Sequence, residues 1–542
     1  MSNFLSTLTT RIKNNLLVSY SGKAVSRQGK RQSNHSFMVP EKGVLTPKEN
    51  LKGPDDRVGI VLAALFSGLC FFLGNGLSGD FWYLVWIAPI PVLIKSWTES
   101  EKTTFRMAFM ASLLGRLSWF WYLKAATSLP LAIVFTLALS YVFAQIVVYS
   151  WRAARKLHVI LAVLTYPVLQ TAFECLLINF SPDGSATSIA YTQANVLPLI
   201  QMASVTGITG ITFLVSLIPS TIAVSWCLRE RAKHSIPFLL GTSLMLVGVT
   251  VAFGLFQIAE QVPGRQIKVG LVVLDKKLHR RSQQATVEQA ESHVDRYSKA
   301  ISALALQGTQ VVVLPEGAFQ TGQESYEPVL ARLRTVAQKY KIYLIAGVAY
   351  FGSADAYNKA LIFDPEGNIA TDYVKNHLVR GHERAFTTGK EIGIFQLFLK
   401  KGGIAICKDL DFPTYIRTYG RQEADVLFVP ALDFIVDDWL HSRMALLRGV
   451  EIGVPIVRTA LAGRLTISDA TGRVLYEANS SHGRQTALFG IVPLHRRTTT
   501  LYTTFGDWFG YLALLAAVYI ILAVRTKKIA IAKAGQLSHR IL

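Results

Sequence analysis

Residues 403–409 read Gly-Ile-Ala-Ile-Cys-Lys-Asp, a short apolar run of β type that ends at Cys407. The chain has four cysteines, and Cys407 is the only one outside a long apolar segment. A small thiol in such a segment usually just fills space. The three cysteines placed in this way are Cys70, Cys175 and Cys227. The position of Cys407 is typical of a nucleophile in an α/β domain, and a buried inert thiol is the alternative.

The same pattern extends on both sides of Cys407. Strand-like apolar runs at 267–274, 311–314 and 343–348 alternate with polar helical segments such as 286–306. Strands that alternate with helices of this length are typical of an α/β domain. The sequence therefore predicts a globular α/β domain over residues 262–508.

The rest of the chain is apolar enough for a membrane, since 51% of the 542 residues are hydrophobic. Segments that approach the roughly 20 residues needed to cross a bilayer lie at 58–77, 81–94, 107–123, 129–151, 159–177, 208–228, 236–256 and 509–524. The second is the shortest and contains two prolines. The predicted order is a largely disordered extension (1–56), a seven-helix transmembrane domain (57–261), the α/β domain (262–508), an eighth transmembrane helix (509–524) and a basic tail (525–542).

The basic residues of the loops lie almost entirely on one side of this predicted membrane domain. Lys and Arg number ten in the first 57 residues and 24 on that side in total, against Lys124 alone in the short loops of the other side. Such a bias marks the cytoplasmic side of a membrane protein. We therefore expect both termini in the cytoplasm and the α/β domain outside it. The bias also accounts for much of the net charge of +21, so no nucleic acid partner is predicted.

Two carboxylates and a lysine accompany Cys407 in the α/β domain. Glu316 follows the strand-like run at 311–314, and α/β folds place their sites where such strands end. Lys375 lies in the segment Tyr-Val-Lys-Asn-His-Leu-Val, and Glu383 follows eight residues later. A thiol nucleophile must lose its proton, its oxyanion must be stabilised, and the leaving group must gain a proton. A carboxylate and a lysine can provide all three functions.

The order Glu, Lys, Cys resembles that of the nitrilase superfamily, and the chain is similar in particular to its membrane-embedded branch, the apolipoprotein N-acyltransferases. Pro315-Glu316-Gly317 resembles the segment of the general base, residues 373–383 resemble the lysine segment, and residues 403–413 resemble the nucleophile segment. Further similarity lies at 198–210, 441–458 and 469–474. The resemblance implies that the α/β domain is an α-β-β-α sandwich.

The resemblance also implies a role for each residue. Glu316 would take the thiol proton, and Lys375 with the backbone N–H of Lys408 would form the oxyanion site. Glu383 and Asp409 would orient the lysine or help to move protons.

The implied reaction moves an acyl chain from a phospholipid to Cys407 as a thioester. The acyl chain then passes to the α-amine of the lipidated N-terminal cysteine of a lipoprotein. The implied location is a bacterial inner membrane, with the catalytic domain on the periplasmic side. No metal and no cofactor is expected.

Two departures from the typical family pattern concern the walls of the site. Lys408 and Asp409 stand where an aromatic residue and a glutamate are typical, and residues 460–465 read Ala-Leu-Ala-Gly-Arg-Leu where Asn-Thr-Gly-x-Ser is expected. A cation at Lys408 predicts a lowered pKa of the Cys407 thiol. The departures are typical of a divergent branch with another amine acceptor.

Three alternatives stay open at this point. A membrane amidase, or an acyltransferase that uses another amine or amide, would share every catalytic residue. A transporter or binding protein with a degenerate nitrilase domain is the second. The third is a Cys-His hydrolase that uses His377, His382 or His441.

Overall fold

The computed structural model of this protein describes residues 56–74, 76–230, 233–260, 264–275, 286–494 and 499–538. The predicted extension at 1–56 lies outside the described residues except for Asp56.

The first part of the described chain is helical. Its α-helices are α1 (Arg57–Leu73), α2 (Pro89–Ser96), α3 (Glu101–Arg116), α4 (Phe120–Ala126), α5 (Leu129–Lys156), α6 (Val159–Phe180), α7 (Leu197–Ile200), α8 (Ala203–Thr206), α9 (Ile208–Leu228) and α10 (Ser235–Ala259). Short 3₁₀ helices lie at Trp82–Trp86, Leu117–Trp119 and Ile189–Gln193. The length and composition of these helices fit a multi-pass membrane domain.

Five helices in the described residues are long and apolar enough to cross a membrane: α5, α6, α9, α10 and the segment Trp508–Thr526. The three predicted spans nearest the N-terminus are shorter in the structure. The first is the 17-residue helix α1. The second is divided into a 3₁₀ turn and α2, which begins at Pro89, because proline lacks the N–H that would continue a preceding helix. The third is divided at Leu117–Trp119. The count of eight spans and the five-part division stay predictions.

The second part of the chain contains the strands. They are β1 (Arg265–Val273), β2 (Val311–Val313), β3 (Phe319–Gly322), β4 (Tyr343–Phe351), β5 (Ala356–Phe363), β6 (Ile369–Val374), β7 (Gly393–Leu397), β8 (Lys400–Ile404), β9 (Val426–Leu432), β10 (Ile456–Leu461), β11 (Arg464–Ser468), β12 (Val474–Asn479) and β13 (Thr486–Leu494). The accompanying helices are α11 (Val287–Ala305), α12 (Gln323–Tyr340), α13 (Pro413–Arg421), α14 (Asp438–Ile452), α15 (Leu501–Phe505) and α16 (Trp508–Ser538).

These strands form two sheets that pack face to face. One sheet has the order β13-β1-β2-β4-β5-β6, with β3 beside β4, and the other has the order β12-β11-β10-β9-β8-β7. Val269 and Ile345 of the first sheet share a buried core with Phe428 and Ile467 of the second. The outer face of the first sheet packs against α11 and α12, and that of the second packs against α13 and α14. The domain is an α-β-β-α sandwich, which confirms the predicted fold class.

Helix α14 holds the sandwich against the helical part. Its residues Trp439 and Leu447 share one buried core with Ile200 and Ile211 of the helical part. Gly79 has φ +72°, and a Cβ atom there would lie 2.0 Å from the Trp439 ring. Only glycine allows both that backbone conformation and that close approach. The contact fixes the sandwich next to the ends of the membrane helices.

Candidate active site

Glu316, Lys375 and Cys407 each follow a strand of the sandwich. Glu316 comes shortly after β2, Lys375 directly after β6, and Cys407 begins a 3₁₀ helix (Cys407–Asp411) shortly after β8. Lys375 Nζ lies 2.6 Å from Glu316 Oε1. After burial, Glu316 and Lys375 are the strongest influences on the pKa of the Cys407 thiol. The structure therefore brings the three predicted residues together, although they come from both sheets.

Lys375 is a buried cation between two carboxylates. Its side chain is 1% exposed, and Nζ donates to Glu316 Oε1 at 2.6 Å and to Glu383 Oε2 at 2.9 Å. Burial lowers the pKa of Lys375, but Glu316, Cys407 and Glu383 together raise it above its usual range. Lys375 therefore keeps its positive charge at neutral pH, as an oxyanion partner requires.

Asn358, which the sequence reasoning missed, joins the two carboxylates. Its Nδ2 donates to Glu316 Oε1 at 2.7 Å and to Glu383 Oε1 at 2.6 Å. The backbone N–H of Val379 donates to Glu383 Oε2 at 2.6 Å. A buried asparagine inside strand β5 was the available signal, because asparagine is depleted in strands. Together these contacts hold both carboxylates against Lys375.

Cys407 has a strained backbone and a protonated thiol. Its φ is +43°, which is uncommon for a residue other than glycine. Burial and then the Glu316 carboxylate raise the pKa of the Cys407 thiol well above its usual value, and Lys375 opposes them. The prediction that Lys408 would give a lowered pKa is wrong. Lys408 Nζ instead lies 2.5 Å from Asp183 Oδ1, so the charge of Lys408 is directed at another partner.

Asp409 joins the nucleophile turn to the lysine segment. Its Oδ2 accepts from Tyr373 Oη at 2.6 Å and from the backbone N–H of Ile406 at 2.9 Å. Its Oδ1 accepts from the backbone N–H of His377 at 2.9 Å. Tyr373 and His377 flank Lys375, so Asp409 fixes the chain on both sides of the lysine. The Asp409 carboxylate contacts these flanking residues and not the lysine ammonium group.

A buried ion pair supports the site from the second sheet and was also missed. Arg458 Nη2 lies 2.5 Å from Asp433 Oδ1, and Arg458 Nη1 lies 3.0 Å from Asp433 Oδ2. Both residues influence the pKa of Cys407. An arginine within the apolar strand β10 was the signal for this pair. Among the described residues, no group of three or more His, Cys, Asp or Glu side chains could hold a metal ion.

Cys407 lies in the wall of a cavity of about 1160 Å³, its open mouth included. The sandwich, helix α5 and the chain at 181–187 all line this cavity. Leu131 and Phe135 of α5 contribute apolar wall, and Leu131 is 56% exposed on the outer surface of the helical part. Tyr122 is buried in the wall. The cavity thus connects an apolar outer surface with the thiol.

His441 is a buried cation in the same wall. Its Nδ1 lies 2.7 Å from Asp437 Oδ2. Burial lowers the pKa of His441, but Asp437 raises it further, and the result is a pKa of about 9. A histidine that is already protonated at neutral pH is a poor general base.

The other two histidines are engaged elsewhere. His377 Nδ1 lies 2.9 Å from Asp409 Oδ1, and His382 Nε2 lies 2.9 Å from the carbonyl oxygen of Ala125. In the described part of the chain, the hydrogen-bond partner of Cys407 Sγ is the carbonyl oxygen of Leu432 at 3.6 Å. These contacts argue against a Cys-His hydrolase.

The pKa of His441 predicts that the protein loses stability at alkaline pH. The pKa is about 9 in the folded protein against a usual value of 6.5. The stabilisation is therefore complete below pH 6.5 and lost as the pH rises through about 9, by up to about 3 kcal/mol. Thermal unfolding in detergent from pH 6 to 10 measures it. The His441→Gln variant should show a flatter pH dependence than the native chain, whereas His482→Gln, at an exposed site, should not. Equal pH dependence in all three proteins would contradict the prediction.

Comparison with known families divides the chain in the same way as the structure. A family model described as carbon-nitrogen hydrolase matches residues 280–490. A second model, described as the apolipoprotein N-acyltransferase N-terminal domain, matches residues 67–221. The first match falls in the sandwich and the second in the helical part.

Individual proteins match different shares of this chain. An apolipoprotein N-acyltransferase of Geobacter metallireducens is 26% identical over 517 residues, which cover 86% of this chain and 96% of that protein. A 2-oxoglutaramate amidase of Bacillus subtilis is 29% identical over 216 residues, which cover 36% of this chain and 81% of the amidase. Among solved structures, a carbon-nitrogen hydrolase from Helicobacter pylori matches 42% of this chain and 89% of its own, at 18% identity and a TM-score of 0.36.

Proposed function

Because this chain belongs to the apolipoprotein N-acyltransferase family of the carbon-nitrogen hydrolase superfamily, we propose that it carries an acyl chain on Cys407. Membership of this family implies the general function, that of a membrane-bound acyltransferase that acts on lipoproteins. The proposal adds that a phospholipid acylates the thiol and that the N-terminal amine of a diacylglyceryl-cysteine lipoprotein accepts the chain. The observation that carries it is the cluster of Glu316, Lys375 and Cys407 beside a cavity open to an apolar outer surface.

In the first half-reaction the thiol of Cys407 attacks an ester carbonyl of the phospholipid. Because the thiol is protonated at rest, Glu316 takes its proton as the C–S bond forms. The charge that develops on the carbonyl oxygen lies between the Lys375 ammonium and the backbone N–H of Lys408. Glu316 then gives the proton to the departing oxygen, and a lysophospholipid leaves. The products are a thioester on Cys407 and a lysophospholipid, and Glu316 is again a carboxylate.

In the second half-reaction the α-amine of the acceptor attacks the thioester carbonyl. A C–N bond forms, the C–S bond breaks, and Glu316 transfers the proton of the amine to the leaving sulfur. Lys375 stabilises the same oxyanion again. The thiol of Cys407 is restored, so no water or cofactor is consumed.

The apolar cavity supports a location of this reaction at a membrane. Transfer of an acyl chain into water costs about 0.8 kcal/mol for each CH₂ group. Leu131 and Phe135 of α5 line the same cavity as the thiol. Both substrates could therefore keep their acyl chains in apolar surroundings throughout the reaction.

A direct experiment supplies the two substrates separately. The purified protein is incubated with a phospholipid labelled in its acyl chain, and a hydroxylamine-sensitive adduct is measured. A diacylated lipopeptide is then added, and we expect the label to move to its amine. Absence of an adduct would contradict acyl-enzyme chemistry.

A second candidate acceptor is a different amine. The observation that favours it is the Lys408–Asp183 ion pair in the cavity wall, at a position where the family typically has an aromatic residue. An adduct that the lipopeptide fails to discharge, but that another amine discharges, would favour this candidate.

We also propose that the sandwich lies on the periplasmic side, on the basis of the basic residues counted above. A protease site inserted in the exposed hairpin between β4 and β5 should be cleaved when protease is added to intact spheroplasts. A tag placed after Leu542 should stay protected until the membrane is broken. The reverse pattern would contradict this orientation.

A further inference from the structure

One carboxylate in the cavity wall has no partner. Asp411 ends the 3₁₀ helix that Cys407 begins, is 5% exposed, and lines the same cavity as Cys407. Its carboxylate makes no hydrogen bond and no ion pair with any residue that the structure describes. A buried polar group is normally satisfied, and leaving one unpaired costs free energy. Since the described chain supplies no donor, donors must come from what occupies the cavity, either water or a ligand.

The backbone at Asp411 is held firmly. Its carbonyl oxygen accepts from the backbone N–H of Ser185 at 2.8 Å and from Ser185 Oγ at 2.7 Å. Gly184, with φ +50°, brings its chain so close that a Cβ atom there would lie 2.3 Å from the same oxygen. The carboxylate therefore stands on a backbone that the neighbouring segment at 184–185 holds in place.

The charged neighbours of Asp411 are already paired. Lys408 lies against Asp183, and His441 lies against Asp437. Arg380 also lines the cavity, but its side chain is exposed and forms no ion pair with Asp411 among the described residues. Burial raises the pKa of Asp411, whereas His441 and Lys408 lower it. A cation bound at Asp411 would balance the charge of its unpaired carboxylate.

We propose that Asp411 binds a primary ammonium group, namely the α-amine of the acyl acceptor. The inference rests on the proposed function and names the group that this part of the cavity recognises. An ammonium group brings N–H donors that a carboxylate accepts with high strength. A metal ion fits less well, because no group of three or more possible ligand side chains is assembled in the described residues.

The position of Asp411 suits the amine that must attack the thioester. Cys407 and Asp411 stand at the two ends of a five-residue 3₁₀ helix. The rise of such a helix separates their backbones by about 8 Å. Because Cys407 and Asp411 line the same cavity, an amine in hydrogen-bond contact with the carboxylate would share that space with a thioester on Cys407. Binding there would orient the acceptor. Asp411 would take one ammonium proton and release it to solvent, the neutral amine would attack the thioester, and Glu316 would pass the second nitrogen proton to the leaving sulfur.

The test separates the two half-reactions in the full-length protein in detergent. Acylation is measured with labelled phosphatidylethanolamine and with labelled phosphatidylglycerol. Discharge of the adduct is then measured with a diacylated lipopeptide and with hydroxylamine, which is neutral at pH 7 and needs no ammonium site. Asp411→Asn is the test variant. Asp355→Asn, at an exposed position in the hairpin between β4 and β5, is the matched control.

For Asp411→Asn we expect acylation by both phospholipids and discharge by hydroxylamine to stay within about 2-fold of the native rates. Discharge by the lipopeptide should fall about 10- to 100-fold, mainly through a higher KM, as for the loss of a hydrogen bond to a charged group. Asp355→Asn should match the native protein in all four measurements. Normal acylation of Asp411→Asn also shows that the variant is folded.

Three results would overturn the inference. The first is discharge by the lipopeptide at the native rate. The second is an equal loss with hydroxylamine, which would indicate a structural role for Asp411. The third is a loss confined to acylation by phosphatidylethanolamine, which would assign the ammonium group to the headgroup of the donor. If the native protein itself forms no adduct, the proposed function fails and the inference fails with it.

Discussion

Replacing Cys407 with alanine is expected to abolish both the acyl adduct and transfer to the acceptor, with a fall in kcat of about 10⁴-fold or more. The reason is that no other group in the cavity can hold the acyl chain in the proposed reaction. The measurement is release of labelled lysophospholipid, followed by transfer of the labelled chain to a lipopeptide. Because the thiol contacts only the carbonyl oxygen of Leu432 among the described hydrogen-bond partners, the variant should keep its fold.

The matched control for this variant is Cys175→Ala. Cys175 is buried in α6, away from the nucleophile turn. Its replacement should leave both half-reactions within about 3-fold of the native rates, since a buried thiol there fills space. Substantial transfer by the Cys407→Ala variant would show that the acyl chain does not pass through this thiol.

Replacing Lys375 with methionine is expected to destabilise the protein by about 3–5 kcal/mol as well as to abolish activity. The lysine is 1% exposed and lies between Glu316 and Glu383. Without it, two buried carboxylates would face each other with only Asn358 between them. Thermal or denaturant unfolding in detergent measures the change in the free energy of unfolding.

Two further variants test the cause of that loss. Lys359→Met removes the more exposed ion pair with Asp372, whose atoms are 2.8 Å apart, and should cost about 1 kcal/mol or less. Adding Glu383→Gln to Lys375→Met should restore part of the lost stability, because it removes one unpaired charge. If Lys375→Met were no less stable than Lys359→Met, the predicted contribution of the buried charge cluster to stability would be wrong.

The catalytic residues proposed here were predictable in part because each of them follows a strand. Short apolar runs mark the strands before Glu316 and Cys407. Strand β6 ends directly before Lys375. Cys407 follows a strand of the other sheet than Glu316 and Lys375, so strand ends alone did not group the three residues. The resemblance of the order Glu, Lys, Cys to that of a known family was also needed.

The supporting residues were harder to predict because long-range pairing decides their partners. Asn358 reaches Glu316 and Glu383 only because β5 pairs with β6 in the observed register. The pair of Asp433 and Arg458 likewise depends on the parallel pairing of β9 with β10. Neither register can be read from a strand in isolation.

Neighbours in sequence proved equally ambiguous at the nucleophile turn. Lys408 and Asp409 follow Cys407 directly, yet the first contacts Asp183 and the second contacts Tyr373. Side chains in a tight helical turn point in different directions. Adjacency to the thiol therefore did not predict contact with it. The number of membrane spans was uncertain for a local reason, since Pro89 marks the start of a separate short helix.

The most direct test of the account is to find which atom carries the acyl chain. The native protein is incubated with phospholipid in the absence of acceptor, digested, and analysed by mass spectrometry. The account predicts that the peptide containing residues 403–409 gains the mass of one acyl group on Cys407 and loses it when acceptor is added. An acyl group on any other residue, or transfer that proceeds while this peptide stays unmodified, would contradict it.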